Sequence, residues 1–151
     1  MKRLAPVVFS VAVLVGCGSI PEVNWLQNSQ VIINRVNVEL NSYLWVNLMP
    51  TVGEEQQQSQ SIHGSLALQS EQQLPANLTV ESLILKQGHS EWTLNATDLD
   101  TRTHSENEWE VVFTSDIEIN TERYVDLAVL LDDAGKKRWL VEKSVKVNKV
   151  Y

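Results

Sequence analysis

The chain has one cysteine, Cys17, so no disulfide can form within it and any fold must hold by packing alone. Outside the cytoplasm a lone free thiol would be a redox liability. Histidine is scarce: His63, His89 and His104 lie far apart, and no two are spaced as a helical ligand pair. Without a second sulfur, a structural zinc site lacks thiolate ligands. There is no glycine-rich phosphate loop and no Gly-x-Ser-x-Gly nucleophile elbow. Nor is there a run of about 20 apolar residues able to cross a bilayer as a helix.

Positive charge is also short over most of the chain. Cys17 to Gly135 holds 18 acidic residues and 4 basic ones, within a chain of net charge -7. Such an excess repels phosphate, which speaks against nucleic acid as a partner. Lys136 to Tyr151 reverses the balance, with 6 basic residues and 1 acidic. Lysines that protect an edge strand explain this reversal. A docking strip for an acidic partner or anionic lipid is the alternative.

What is present begins with the N-terminus. Lys2 and Arg3 precede a mostly apolar stretch, Leu4 to Val15, interrupted by Pro6 and Ser10. It is too short for a membrane span and has the length of a secretory signal core. The stretch ends in Leu14-Val15-Gly16-Cys17, which resembles the lipobox of bacterial lipoproteins at all four positions. The resemblance implies diacylglycerol on the Cys17 sulfur, cleavage between Gly16 and Cys17, and in many bacteria a third acyl chain on the new amino group. Two or three such chains hold a protein almost permanently, where one holds it marginally. In Gram-negative members an Asp directly after the cysteine commonly signals inner-membrane retention. Gly18 stands there instead, which implies the periplasmic face of the outer membrane. A Gram-positive source would place the chain on the outer face of its cytoplasmic membrane.

Three segments follow from this reading: a signal peptide over 1–16, a lipidated N-terminus and tether over 17–30, and a domain over 31–151. Trp25-Leu26 interrupts the polar tether and either docks on the domain or rests in the lipid interface.

Beyond Gln30, period two dominates and no long helical pattern appears. Val31 to Leu40 reads as a strand broken near Asn34-Arg35. Leu44 to Met49 is apolar on both faces and reads as a central strand ending at Pro50. Gly53 to Ser61 is polar and glutamine-rich, a loop. Ile62, Leu66 and Leu68 alternate with polar residues. Leu78 to Lys86 and Glu91 to Leu94 flank Gln87-Gly88-His89-Ser90 as a hairpin. Further strands carry Trp109, Val111 and Phe113, then Val125 to Leu131. Asp132 to Lys136 is a strong turn. The last strand places Trp139, Val141, Val145 and Val147 on one parity, with Lys143 marking a bulge. About seven or eight strands predict an all-β, antiparallel β-sandwich. The layout is similar, in pattern only, to immunoglobulin-like domains of bacterial surface lipoproteins; a small barrel is its rival.

Chemistry is weakly signalled. The histidines read as exposed, His63 on the polar side of its strand and His89 and His104 in loops. Asp98-Leu99-Asp100 with Glu106 and Glu108 offers oxygens to calcium, but Thr103 stands where an EF-hand needs glycine. His104-Ser105-Glu106 has the letters of a triad, yet neighbours on an extended chain point opposite ways. Neither metal nor cofactor is expected. Tyr43 and Trp45 share the second apolar face of their strand and form the candidate binding surface. The expectation is a non-enzymatic, membrane-held accessory domain for an envelope protein partner. Small-ligand or metal binding is the alternative, followed by an unrecognised hydrolase.

Overall fold

The computed structural model describes residues 20–48 and 61–151. The leader, Gly16, Cys17, the strand end at Met49-Pro50 and most of the glutamine-rich loop lie outside the described residues. Within them the chain forms ten strands and one short 3-10 turn. In order they are β1 Gln30–Ile33, β2 Val36–Asn47, β3 Ile62–Gln69, β4 Leu78–Gln87, β5 Ser90–Asn95, β6 Asp100–Ser105, β7 Glu108–Ser115, β8 Val125–Asp133, β9 Lys136–Val145 and β10 Val147–Val150. The turn, Ala96–Asp98, sits between β5 and β6.

Two sheets pack face to face. Sheet A runs β1-β2-β3-β7-β6, and sheet B runs β5-β4-β8-β9. β10 joins sheet A beside β2, parallel to it, whereas every other pairing is antiparallel. β2 is long enough to seat β1 against Val36–Glu39 and β10 against Leu44–Asn47. The all-β sandwich expected from the period-two pattern is what forms, with more strands than anticipated and one parallel pair.

The core follows that period. β3 alternates buried and half-buried residues along its whole length, with Ile62, Gly64, Leu66 and Leu68 inward. Facing side chains from sheet B include Leu83, Leu85, Leu127, Val129 and Leu140, all fully buried. Gly64 is inward because the Phe113 ring takes its space: a Cβ there would stand 2.1 Å from that ring. One buried polar side chain braces the β7–β8 connection. Gln87 Nε2 donates to the carbonyls of Asn120 at 2.8 Å and Arg123 at 3.2 Å, and its Oε1 accepts from Asn120 N–H at 2.9 Å.

The turns obey local chemistry. Asn34 and Arg35, with φ of 48° and 64°, close the β1–β2 hairpin where the strand was expected to break. Ala134 and Gly135, with φ of 50° and 91°, close β8–β9, and Asp132 Oδ1 accepts the Gly135 N–H at 2.7 Å. Positive φ at both central residues is the hairpin geometry matched to strand twist.

Two expectations need correction. His104 lies on edge strand β6, not in a loop; every residue of that strand is exposed, so no apolar alternation marked it. Trp139 and Val141 do not share a face with Val145 and Val147. Lys143-Ser144 bulge opposite Asp126, Ser144 takes φ 56°, and its N–H donates to Asp126 Oδ1 at 2.9 Å. The extra residue reverses the facing of everything after it. Trp139 and Val141 therefore point outward from sheet B, whereas Val145 and Val147 point into the core.

The outward patch on sheet B is covered by the chain's own N-terminal segment. Val23 and Trp25, with Ile84, pack on Ala128, Leu130, Trp139 and Val141. Trp139 Nε1 donates to the Pro21 carbonyl, and Gln27 Nε2 donates to the Trp139 carbonyl at 2.6 Å. Lys86 Nζ stands 5.1 Å from the centre of the Trp25 ring, in cation–π range. Of the two placements left open for Trp25, docking on the domain is the one adopted. Residues 20–27 are a strap and not a free leash.

Candidate functional site

The strap covers the outward apolar patch of sheet B, and the outer face of sheet A carries the exposed Tyr43. There the outward residues of β2, β3, β7 and β6 stand in register. Trp45 pairs with His63 and His63 with Thr114, in one rung; Tyr43, Ser65 and Val112 form the next.

Tyr43 and Trp45 sit here because β2 alternates strictly and its even positions, Leu40, Leu44 and Val46, fill the core. Their rings lie 5.4 Å apart, tilted by 33°. Trp45 in turn stacks on His63, with centroids 5.4 Å apart and planes 14° from parallel. His63 Nδ1 is 3.0 Å from Thr114 Oγ1, which fixes the imidazole from the far side. Tyr43 remains 52% exposed while Trp45 is half-buried, so the platform is anchored at one end and open at the other. Period two was sufficient to pair Tyr43 with Trp45. His63 was missed as their neighbour because the β2–β3 register is not readable from either strand alone.

A polar network borders the platform. Ser65 Oγ donates to Glu110 Oε1 at 3.0 Å, and His104 Nε2 meets the other oxygen of the same carboxylate. The His104 hydrogen bond, then that of Ser65, holds the Glu110 carboxyl below its ordinary value. Arg102 Nε bonds Asp100 Oδ2 at 3.0 Å further along β6. Ser65, Glu110 and His104 thus meet, but the carboxylate lies between hydroxyl and imidazole. In a triad the imidazole bonds the nucleophile's own oxygen, and His104 bonds Glu110 instead. Ser105, by contrast, bonds Asn107 at 2.7 Å and takes no part.

His89 sits in the β4–β5 turn, away from both groups. Asp98 and Asp100 have separate partners: Asp98 accepts the Asn95 N–H at 3.2 Å and Asp100 holds Arg102. Among the described residues no cluster of three or more His, Cys, Asp or Glu side chains is arranged to hold a metal. No described helix is long and apolar enough to cross a membrane.

Fold and site together define an all-β sandwich with one face strapped by the segment 20–27 and the other carrying an aromatic stack exposed at Tyr43. Compared with known protein families, curated proteins and solved structures, the chain matches none.

Proposed function

We propose that this chain is an exported lipoprotein, held by acyl chains on Cys17, and that its sandwich is a non-enzymatic binding domain for an envelope protein. Its home under this reading is the periplasmic face of the outer membrane, as the lipobox resemblance with Gly18 after the cysteine implies. One observation carries the binding role: the Tyr43–Trp45–His63 stack is pre-ordered and its Tyr43 end is exposed. Rigid aromatic side chains of this kind give contact area at little entropic cost and dominate protein interfaces. The bordering Glu110, His104 and Arg102 would supply the polar rim that such interfaces place around an apolar centre.

The lipid anchor rests on the lipobox resemblance. Replacing Cys17 with Ser should release the protein from the membrane fraction; tight retention of the variant would contradict it. The binding role is tested in cells with a photo-crosslinking residue at position 43 and a control at Tyr124, which is exposed elsewhere on the domain. A discrete adduct at position 43 alone, lost on Trp45→Ala, is the expected result. The same diffuse adducts at both positions would overturn it.

A further inference from the structure

At the end of sheet A away from the aromatic stack lies a cleft of about 470 Å³. One rung of the sheet lines it, Gln30 on β1, Glu39 on β2 and Gln69 on β3, with Asn37 beside them on β2. Arg35 from the β1–β2 hairpin and Ser70 to Gln72 from the segment after β3 complete the lining. Glu39 precedes Tyr43 by four residues on the same strand, a separation of about 13 Å. The cleft is therefore a place of its own, independent of the Tyr43–Trp45 surface and of any anchor.

Every side chain that lines the cleft is polar or charged, which excludes a ligand held by apolar burial. The amides are oriented by their neighbours. Gln30 Oε1 accepts from Asn37 Nδ2 at 3.2 Å, and Gln69 Nε2 donates to Glu108 Oε1 at 3.0 Å. That leaves the Gln30 amide nitrogen as a donor, and the Asn37 and Gln69 amide oxygens as acceptors, for a ligand. The charges stay apart. Arg35, Glu39 and Glu71 share the cleft, yet among the described residues none of the three is in an ion pair. A guanidinium takes a carboxylate on its paired N–H groups, and a carboxylate accepts from an ammonium. Opposite charges that share a cleft without closing on one another match a ligand that carries both.

We propose that this cleft binds a short zwitterionic peptide, with the peptide's carboxylate on Arg35, its ammonium on Glu39 and Glu71, and its backbone on the amides of Gln30, Asn37 and Gln69. Amide side chains suit peptide groups because each can offer both a donor and an acceptor. The cleft's volume falls within the range of small-ligand sites, about 300–1,000 Å³. A polyanion would meet two carboxylates. A neutral sugar would leave all three charges without a counter-charge. A single exposed ion pair contributes little, so recognition depends on both poles and the amides acting on one ligand.

The full chain, isotope-labelled and purified in a neutral detergent, is titrated with trialanine and followed by its backbone amide signals in NMR. Those of Asn37, Glu39 and Ser70 to Gln72 should move together, while those of Tyr43 and Trp45 stay in place. Acetylated trialanine and trialanine amide each lack one terminal charge and should bind about threefold or more weakly. Trialanine should lose as much on Arg35→Gln or Glu39→Gln. Both residues are exposed, so these variants should keep the remaining spectrum of the parent chain. Absence of any movement at millimolar trialanine overturns the site. Equal affinity for the blocked peptides overturns recognition of the two poles, and so does tighter binding of cellotetraose, a neutral saccharide.

Discussion

His63 lies flat against Trp45, centroids 5.4 Å apart, although 17 residues separate them and a segment of their connection is strongly polar. The β2–β3 register puts the two opposite one another, and Thr114 on β7 holds the imidazole from its other side. Three strands thus fix one exposed aromatic surface. Tyr43, at its open end, contributes little to the fold.

Tyr43→Ala is accordingly expected to separate binding from stability. Its side chain is 52% exposed, so unfolding free energy should change by no more than about 0.5 kcal/mol. Capture of the envelope partner by the purified domain should fall by roughly 30-fold, as for a central aromatic anchor. Denaturant unfolding and partner titration on the same preparation check the pair of outcomes.

Gly64 makes the reverse case, a small residue on which packing depends. Ala at this position would drive its methyl group into the Phe113 ring. Overpacking of this kind costs about 1–3 kcal/mol. Gly64→Ala should lower the urea midpoint accordingly, and Phe113→Leu in the same chain should recover part of that loss, whereas Phe113→Leu alone should destabilise.

The β8–β9 turn is one residue short of its best sequence. Ala134 occupies a left-handed conformation, φ 50°, ahead of Gly135. Asn tolerates that region better than Ala, and Asn-Gly is the preferred pair for this hairpin. Ala134→Asn should stabilise by about 0.5–1 kcal/mol, read as a raised urea midpoint with an unchanged slope.

Much of this architecture was legible in the chain, for a physical reason: a strand buried on one face must alternate. Ile62 to Leu68, Trp109 to Phe113 and Val125 to Leu131 showed their inward sets directly, and Gly88 and Gly135 marked the hairpins. β6 was illegible because Asp100 to Ser105 buries nothing and is specified only by its partner, β7. The facing of Val145 was illegible because parity holds only until a bulge, and Lys143 gave the place of the bulge but not its consequence. β10 leaves sheet B for sheet A, and nothing in Val147 to Val150 encodes that choice. Of the candidate site, Tyr43 and Trp45 were legible from period two; His63, Thr114 and Glu110 required registers that only the assembled sheet defines.

Two carboxylates should shape the acid response in opposite directions. Burial raises the Glu142 carboxyl above its ordinary 4.5, with Ser42 offsetting part of that cost. Neither Ser42 Oγ nor Glu142 Oε2 completes a well-formed hydrogen bond. The folded state then keeps a proton that the unfolded chain has released, so stability falls as pH rises from about 4.5 to the raised value. Glu142→Gln should remove that fall and raise the melting temperature at pH 7 by a few degrees at most. Glu110, held low by His104 and Ser65, acts the other way. Its contribution is present above pH 4.5 and lost as pH falls through its lowered value, so Glu110→Gln should flatten the acid limb of a melting-temperature profile.

Intact-mass measurement on native protein extracted from the membrane fraction bears most directly on how this domain is placed and presented. The expected species begins at Cys17 and carries the added mass of diacylglycerol, with or without a third acyl chain. A chain that starts at Met1, or one whose Cys17 is an unmodified thiol, would contradict the anchor.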